Sequence, residues 1–149
     1  MKKLIPLFTV LIFILMNLDC KAQVYEDPPK MAMPTNDNKQ LIDKIIEVTD
    51  YESYFNDYCI NYISNVAKNE NWNKERLRRA KDMVSLTSFK FNIYNWSSSY
   101  SNVKLKEYFE LYKNNKESKR KNFLIENANI AKALESKTNQ YITESGKIN

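Results

Sequence analysis

The segment TDYESYFNDYCINYISNVAK, residues Thr49 to Lys68, decides the fold of this chain. Its apolar side chains, Tyr51, Tyr54, Phe55, Tyr58, Cys59, Tyr62, Ile63 and Val66, recur at steps of three and four. That is the period of a helix with a broad buried arc, and strands alternate at a step of two instead. The segment sits inside a run from Thr35 to Ser145 that holds no glycine and no proline. Tight hairpins and phosphate-cradling loops depend on residues at positive φ, which glycine supplies most easily. The only glycine is Gly146, and none of the nineteen asparagines stands in an Asn-Gly pair. The expectation is an all-α fold, a single-domain bundle of about five helices, and an all-β or doubly wound sheet fits the sequence poorly.

Working outward, the spacing predicts a first helix over 38–48, carrying Leu41, Ile42, Ile45, Ile46 and Val48 on one face. Thr49 and Glu52 match a capping box for the second, central helix. A polar turn over 69–73 leads to a third helix over 74–96, with Leu77, Ala80, Val84, Thr87, Phe91 and Tyr94 as its seam and weak helix formers at 85–88 where it is open to a kink. A fourth helix over 103–113 buries Leu105, Tyr108, Phe109 and Tyr112. A fifth runs from about 116 to 144 on Phe123, Leu124, Ala128, Ile130, Ala131, Leu134, Thr138 and Tyr141, and Gly146 ends it. The helical domain is therefore expected over 38–145, with 146–149 a short tail. No internal repeat is visible.

Ahead of the helices, Lys2 and Lys3 precede an apolar run from Leu4 to Met16. This is too short to span a bilayer and has the pattern of a signal peptide. Cleavage after Ala22 is expected to leave Gln23 as the mature N-terminus, making the protein exported, either periplasmic or secreted. The alternative is a lipid anchor through Cys20, although Asn17-Leu-Asp19 before it is not the small-residue box such processing favours. Residues 23–37, with Pro28, Pro29 and Pro34, read as an extended Pro-containing linker. Removing the leader leaves 127 of the 149 residues, enough for one core.

Two stretches, Leu41-Ile-Asp-Lys-Ile-Ile-Glu-Val-Thr-Asp50 and Lys104-Leu-Lys-Glu-Tyr-Phe-Glu-Leu-Tyr-Lys113, resemble the signatures of a family of exported, all-helical bacterial proteins known only as a domain of unknown function. In that family the second signature often runs into a turn with Pro or Gly, where this chain has Asn114-Asn115. The resemblance implies an exported all-α domain of uncharacterised activity and names no site residue.

The composition excludes several chemistries. There is no histidine and, after the leader, one cysteine, so zinc sites and di-iron bundles lack their ligands and a Ser or Cys nucleophile lacks its usual base. Cys59 lies mid-stripe and is expected to be a buried thiol. No catalytic, cofactor-binding or metal residue is assigned. Charge is unevenly spread: residues 35–70 carry three lysines against seven acids, and residues 71–121 carry thirteen Lys and Arg against five acids. The densest basic run, Lys74 to Lys81, offers Lys74, Arg76, Arg78 and Arg79 as an anion-binding patch. On a helix, Glu75 and Asp82 fall within reach of Arg78 and Arg79, so a solvated and internally paired face is the competing reading. Arg76 has no acid three or four residues away. Trp72, Trp96 and Tyr100 suit either an interface or the closed ends of a small bundle, and Asn95-Trp-Ser97 is a glycosylation acceptor pattern. The function expected is a non-enzymatic binding or structural component of the cell envelope, whose partner is an envelope protein or an anionic surface rather than nucleic acid. The alternative is a carboxylate-based hydrolase of envelope polymers, which would need two carboxyls in an apolar pocket.

Overall fold

A computed structural model describes residues 32–147, all of whose regular structure is helical. The leader, the possible Cys20 anchor, most of the linker and the last two residues lie outside the described residues. Helix α1 is Asn36–Val48 and α2 is Tyr51–Asn69. The expected third helix is two, α3 Lys74–Asp82 and α4 Leu86–Ser97. Helix α5 is Asn102–Asn114, and the expected fifth helix is three segments, α6 Lys116–Arg120, α7 Phe123–Glu126 and α8 Ala128–Ser145.

Helix α1 starts two residues before its expected boundary because the Thr35 hydroxyl accepts from the Asn38 amide at 3.3 Å, so the linker ends earlier than 37. The capping box at Thr49 does not form. Thr49 instead closes α1 in right-handed backbone, donating its hydroxyl to the Ile45 carbonyl at 2.7 Å, and the N-cap of the next helix falls one residue later, at Asp50. Asp50 makes the turn at φ 52° without a side-chain cap. Asn71, at φ 53°, does the same after α2. Left-handed backbone is tolerated best by glycine, then by Asn and Asp, so these two residues do the work that glycine does elsewhere.

The break between α3 and α4 falls at 83–85, meeting the weak 85–88 stretch at Ser85, and it changes which face is buried. Leu86, Phe89 and Ile93 enter the core, whereas Thr87 and Phe91, expected on the seam, are exposed. The gap is held from outside: the Tyr141 hydroxyl lies 3.0 Å from Ser88 Oγ, which itself donates to the Ser85 carbonyl at 2.8 Å. Breaks in the last third come from asparagines. Asn115, Asn122 and Asn127 each accept from two amides of the following turn, at 2.9 to 3.3 Å. On α8 the buried line is Ile130, Leu134, Thr138, Tyr141 and Ser145, and Ala128 and Ala131 face solvent.

Packing makes α2 the centre, as its broad arc implies. It touches α1, α3, α4 and α8, and Tyr51, Phe55, Cys59 and Ile63 are fully buried. Phe55 stacks on Phe89 of α4 with ring centroids 5.3 Å apart. The most extensive helix pair is α1 with α5, so the stretches 41–50 and 104–113 lie on mutually packed helices. Gly146 follows α8 as expected, but with φ −85°, so it does not serve as a left-handed cap. Its use is spatial, because a Cβ there would stand 3.3 Å from Arg76 Nη2.

Candidate functional site

Helix α3 carries Lys74, Arg76, Arg78, Arg79 and Lys81 against Glu75 and Asp82. It begins at Asn73, whose side chain accepts from the Arg76 amide at 2.8 Å, immediately after the turn that projects Trp72. The four candidate cations do not share one face. Arg78 stands outward in solvent, with Nε and Nη2 on the two oxygens of Glu75 at 3.2 and 2.8 Å and Nη1 on Asp82 at 2.8 Å. The hydrogen bond from Arg78 holds the Glu75 carboxyl below its usual range and raises the guanidinium in turn. Lys74, one turn earlier, is exposed.

Arg76 and Arg79 turn toward the C-terminal end of α8. Arg76, which the sequence leaves without an acid, lies flat on Trp72 with Cζ 3.5 Å from the ring centroid, and the Trp72 indole donates to Glu70 at 2.7 Å. Arg79 donates from Nη2 to the Ser145 carbonyl at 3.3 Å and reaches Glu75 only at 3.6 Å. A cation at the end of a helix is favoured by the partial negative charge of its last carbonyls. The internally paired reading therefore describes Arg78, while Arg76 and Arg79 pack onto the fold. The Trp72–Arg76 stack has a sequence signal, an aromatic four residues before an arginine; the approach to Ser145 and Gly146 spans some seventy residues and has none.

Two hollows lie elsewhere on the surface. The larger, about 660 Å³, lies beside α1, the start of α2 and the start of α4, and presents Asp43, Glu47, Asp50 and Glu52 with Lys44 and Lys90. Glu47, Asp50 and Glu52 stand in solvent, without the apolar enclosure a general acid needs. Asp43 Oδ1 is committed, accepting from Lys90 Nζ at 2.8 Å and from the Tyr94 hydroxyl at 2.7 Å, which ties α1 to α4. The smaller, about 310 Å³, is bounded by Tyr108, Leu111, Tyr112 and Phe123, with Glu117 and Glu126 exposed at its rim. Its rings hold the fold: the Tyr112 hydroxyl accepts from the Phe123 amide at 3.0 Å, and Tyr108 lies between Lys104 and Tyr112.

The Asp43 tie yields a pH prediction. Burial first, and the hydrogen bond to Asp43 second, push Tyr94 up to about 12 from the ordinary value of 10.0. A raised folded-state value means that the stability is fully present below about pH 10 and is lost as the pH climbs through about 12. Burial also raises Tyr51, Tyr58 and Tyr112, so alkaline difference spectroscopy should show several late tyrosines, of which Tyr94→Phe removes one, and Asp43→Asn should bring that one earlier without restoring the ordinary value. A spectrum unchanged by Tyr94→Phe would refute the assignment.

Other sequence candidates resolve structurally. Cys59 is fully buried, with Sγ 3.3 Å from Thr138 Oγ1, and burial raises its thiol, which suits packing and not nucleophilic attack. Ser97 of the glycosylation pattern is wholly buried, while Asn95 is partly exposed. Tyr100 closes one end of the bundle against Tyr108 and Phe123. Among the described residues no group of His, Cys, Asp or Glu is arranged to hold a metal, and no helix is long and apolar enough to cross a membrane.

Comparison of the chain with protein-family models, curated proteins and solved structures finds no match.

Proposed function

We propose that this protein is exported by its N-terminal leader and acts as a non-enzymatic binding component of the cell envelope, using α3 as the face that meets an anionic surface. The observation that carries this reading is the half-buried Trp72–Arg76 stack at the start of a helix with five cations and two acids. Indole and guanidinium side by side suit the boundary between an anionic headgroup layer and water. The exposed pairs of Arg78 with Glu75 and Asp82 weigh little against this, because ion pairs in solvent are worth about 0–1 kcal/mol and yield readily to a competing anion. The rival hydrolase reading has less support, since the larger hollow offers carboxyls that are either in solvent or bound to Lys90 and Tyr94.

Cosedimentation tests the proposal. Wild-type protein should sediment with anionic vesicles and not with neutral ones, and the binding should fall with salt as the Debye length drops from roughly 10 Å at 0.1 M to 3 Å at 1 M. Arg76→Glu should weaken it more than Arg78→Glu, because the charge of Arg78 is already balanced by two carboxylates; losing one free cation is worth about 1 kcal/mol, roughly a fivefold change. Equal sedimentation with neutral and anionic vesicles would remove the proposal.

A further inference from the structure

Helix α3 divides its arginines into one that is saturated and two that are not. Arg78 has three short bonds to carboxylate oxygens. Arg76 and Arg79 have between them one long contact to a carboxylate, Arg79 Nη1 to Glu75 Oε1 at 3.6 Å, and that oxygen already takes a 2.8 Å bond from Arg78. Both also keep an Nε–H that is buried with no acceptor. A buried donor on a charged group left without an acceptor is costly, and two guanidiniums three residues apart on one helix repel each other. A single anion bound between the two guanidiniums relieves the repulsion.

Resting on the anionic-surface reading above, we propose that Arg76 and Arg79 form a seat for a phosphate group, with Trp72 as its floor and the turn at Ser145–Gly146 as its wall. Three features favour phosphate. Each guanidinium is a planar fork, and a phosphate group offers several acceptor oxygens in a tetrahedral array, enough to meet two forks at once where a carboxylate has two oxygens for both. Trp72 fixes the plane of Arg76, and its own N–H is bonded to Glu70, so one fork is held in place before any anion arrives. Gly146 leaves open the space that a Cβ would take 3.3 Å from Arg76 Nη2. The anion displaces one weak bond, Arg79 Nη2 to the Ser145 carbonyl at 3.3 Å, and its entry is opposed by the Glu75 carboxylate and by the partial negative charge of the last carbonyls of α8.

The test uses the whole mature protein, with inorganic phosphate and phosphatidylglycerol vesicles as separate probes. Phosphate should shift the side-chain Nε–Hε resonances of Arg76 and Arg79 together and saturably, leaving Arg78 unmoved. Arg76→Lys and Arg79→Lys keep the charge and lose the fork, so each should weaken phosphate and vesicle binding about fivefold to tenfold, while Arg78→Lys changes neither. Gly146→Ala should weaken phosphate binding without removing a cation. Vesicle binding that is salt-sensitive while the two resonances never saturate, or an equal loss with Arg78→Lys, would overturn the seat and leave the anionic-surface reading standing. Saturation by phosphate without vesicle binding would keep the seat and overturn the surface. The wild-type titration decides the matter even where a lysine variant fails to fold.

Discussion

Phe55→Ala is expected to destabilise the domain by about 3–5 kcal/mol, the range for removing a buried phenylalanine from a packed core. Phe55 is fully buried on α2 and stacks on Phe89, itself fully buried on α4, so truncation opens a cavity where the central helix meets the second half of the broken one. A single domain holds only about 5–15 kcal/mol in total, so the loss should lower Tm by on the order of 15 °C or leave the chain unfolded near body temperature. The informative comparison is Phe91→Ala, two residues after Phe89. By its helical spacing Phe91 belongs to the seam of one long helix, but in the structure it is 45% exposed. It should then cost no more than about 0.5 kcal/mol. Urea unfolding of both variants decides it, and comparable costs would mean that α4 is not rotated as described.

That pair of phenylalanines shows how far the sequence was legible. Helical class followed from the absence of glycine and proline over 35–145 together with the three-and-four spacing, because no other fold closes its turns so sparingly. The central role of α2 and the burial of Cys59 followed from the width of one apolar arc. A break near 85–88 was legible from its weak helix formers, but the change of buried face that follows it and the breaks within 116–144 were not. Phe89 and Phe91 are the same residue type two places apart, and the face that is buried goes with a contact from far along the chain, Tyr141 to Ser88 across fifty-three residues. Thr49 failed as a cap for a similar reason: the sequence shows a hydroxyl near two helix ends and does not say which end it serves. For the candidate site, the pairing of Arg78 with Glu75 and Asp82 is local and was legible. The approach of Arg76 and Arg79 to the end of α8 is a tertiary contact and was not.

Asparagine is the residue whose role is easiest to underread, and Asn122 carries the second prediction. Asn122, Phe123 and Leu124 are consecutive and all buried, an arc of about 200° that a straight helix cannot hide against one neighbour. A polar side chain in that position must be satisfied internally. Asn122 manages this by joining two helix ends: its Nδ2 donates to the Lys119 carbonyl at 2.7 Å at the end of α6, and its Oδ1 accepts from the Leu124 and Ile125 amides at 3.0 and 3.3 Å at the start of α7. Asn122→Ala removes all three bonds and strands backbone groups away from water, so it should cost about 2–3 kcal/mol, the loss of a cap plus an unsatisfied buried group. Asn115 makes the same kind of cap at the exposed start of α6, where water replaces the lost acceptor, so Asn115→Ala should cost about 1 kcal/mol. Chemical denaturation of the two variants gives the ratio directly. If Asn122→Ala proved no worse than Asn115→Ala, the break between α6 and α7 would have to be attributed to packing of Phe123 and Leu124 rather than to the buried amide.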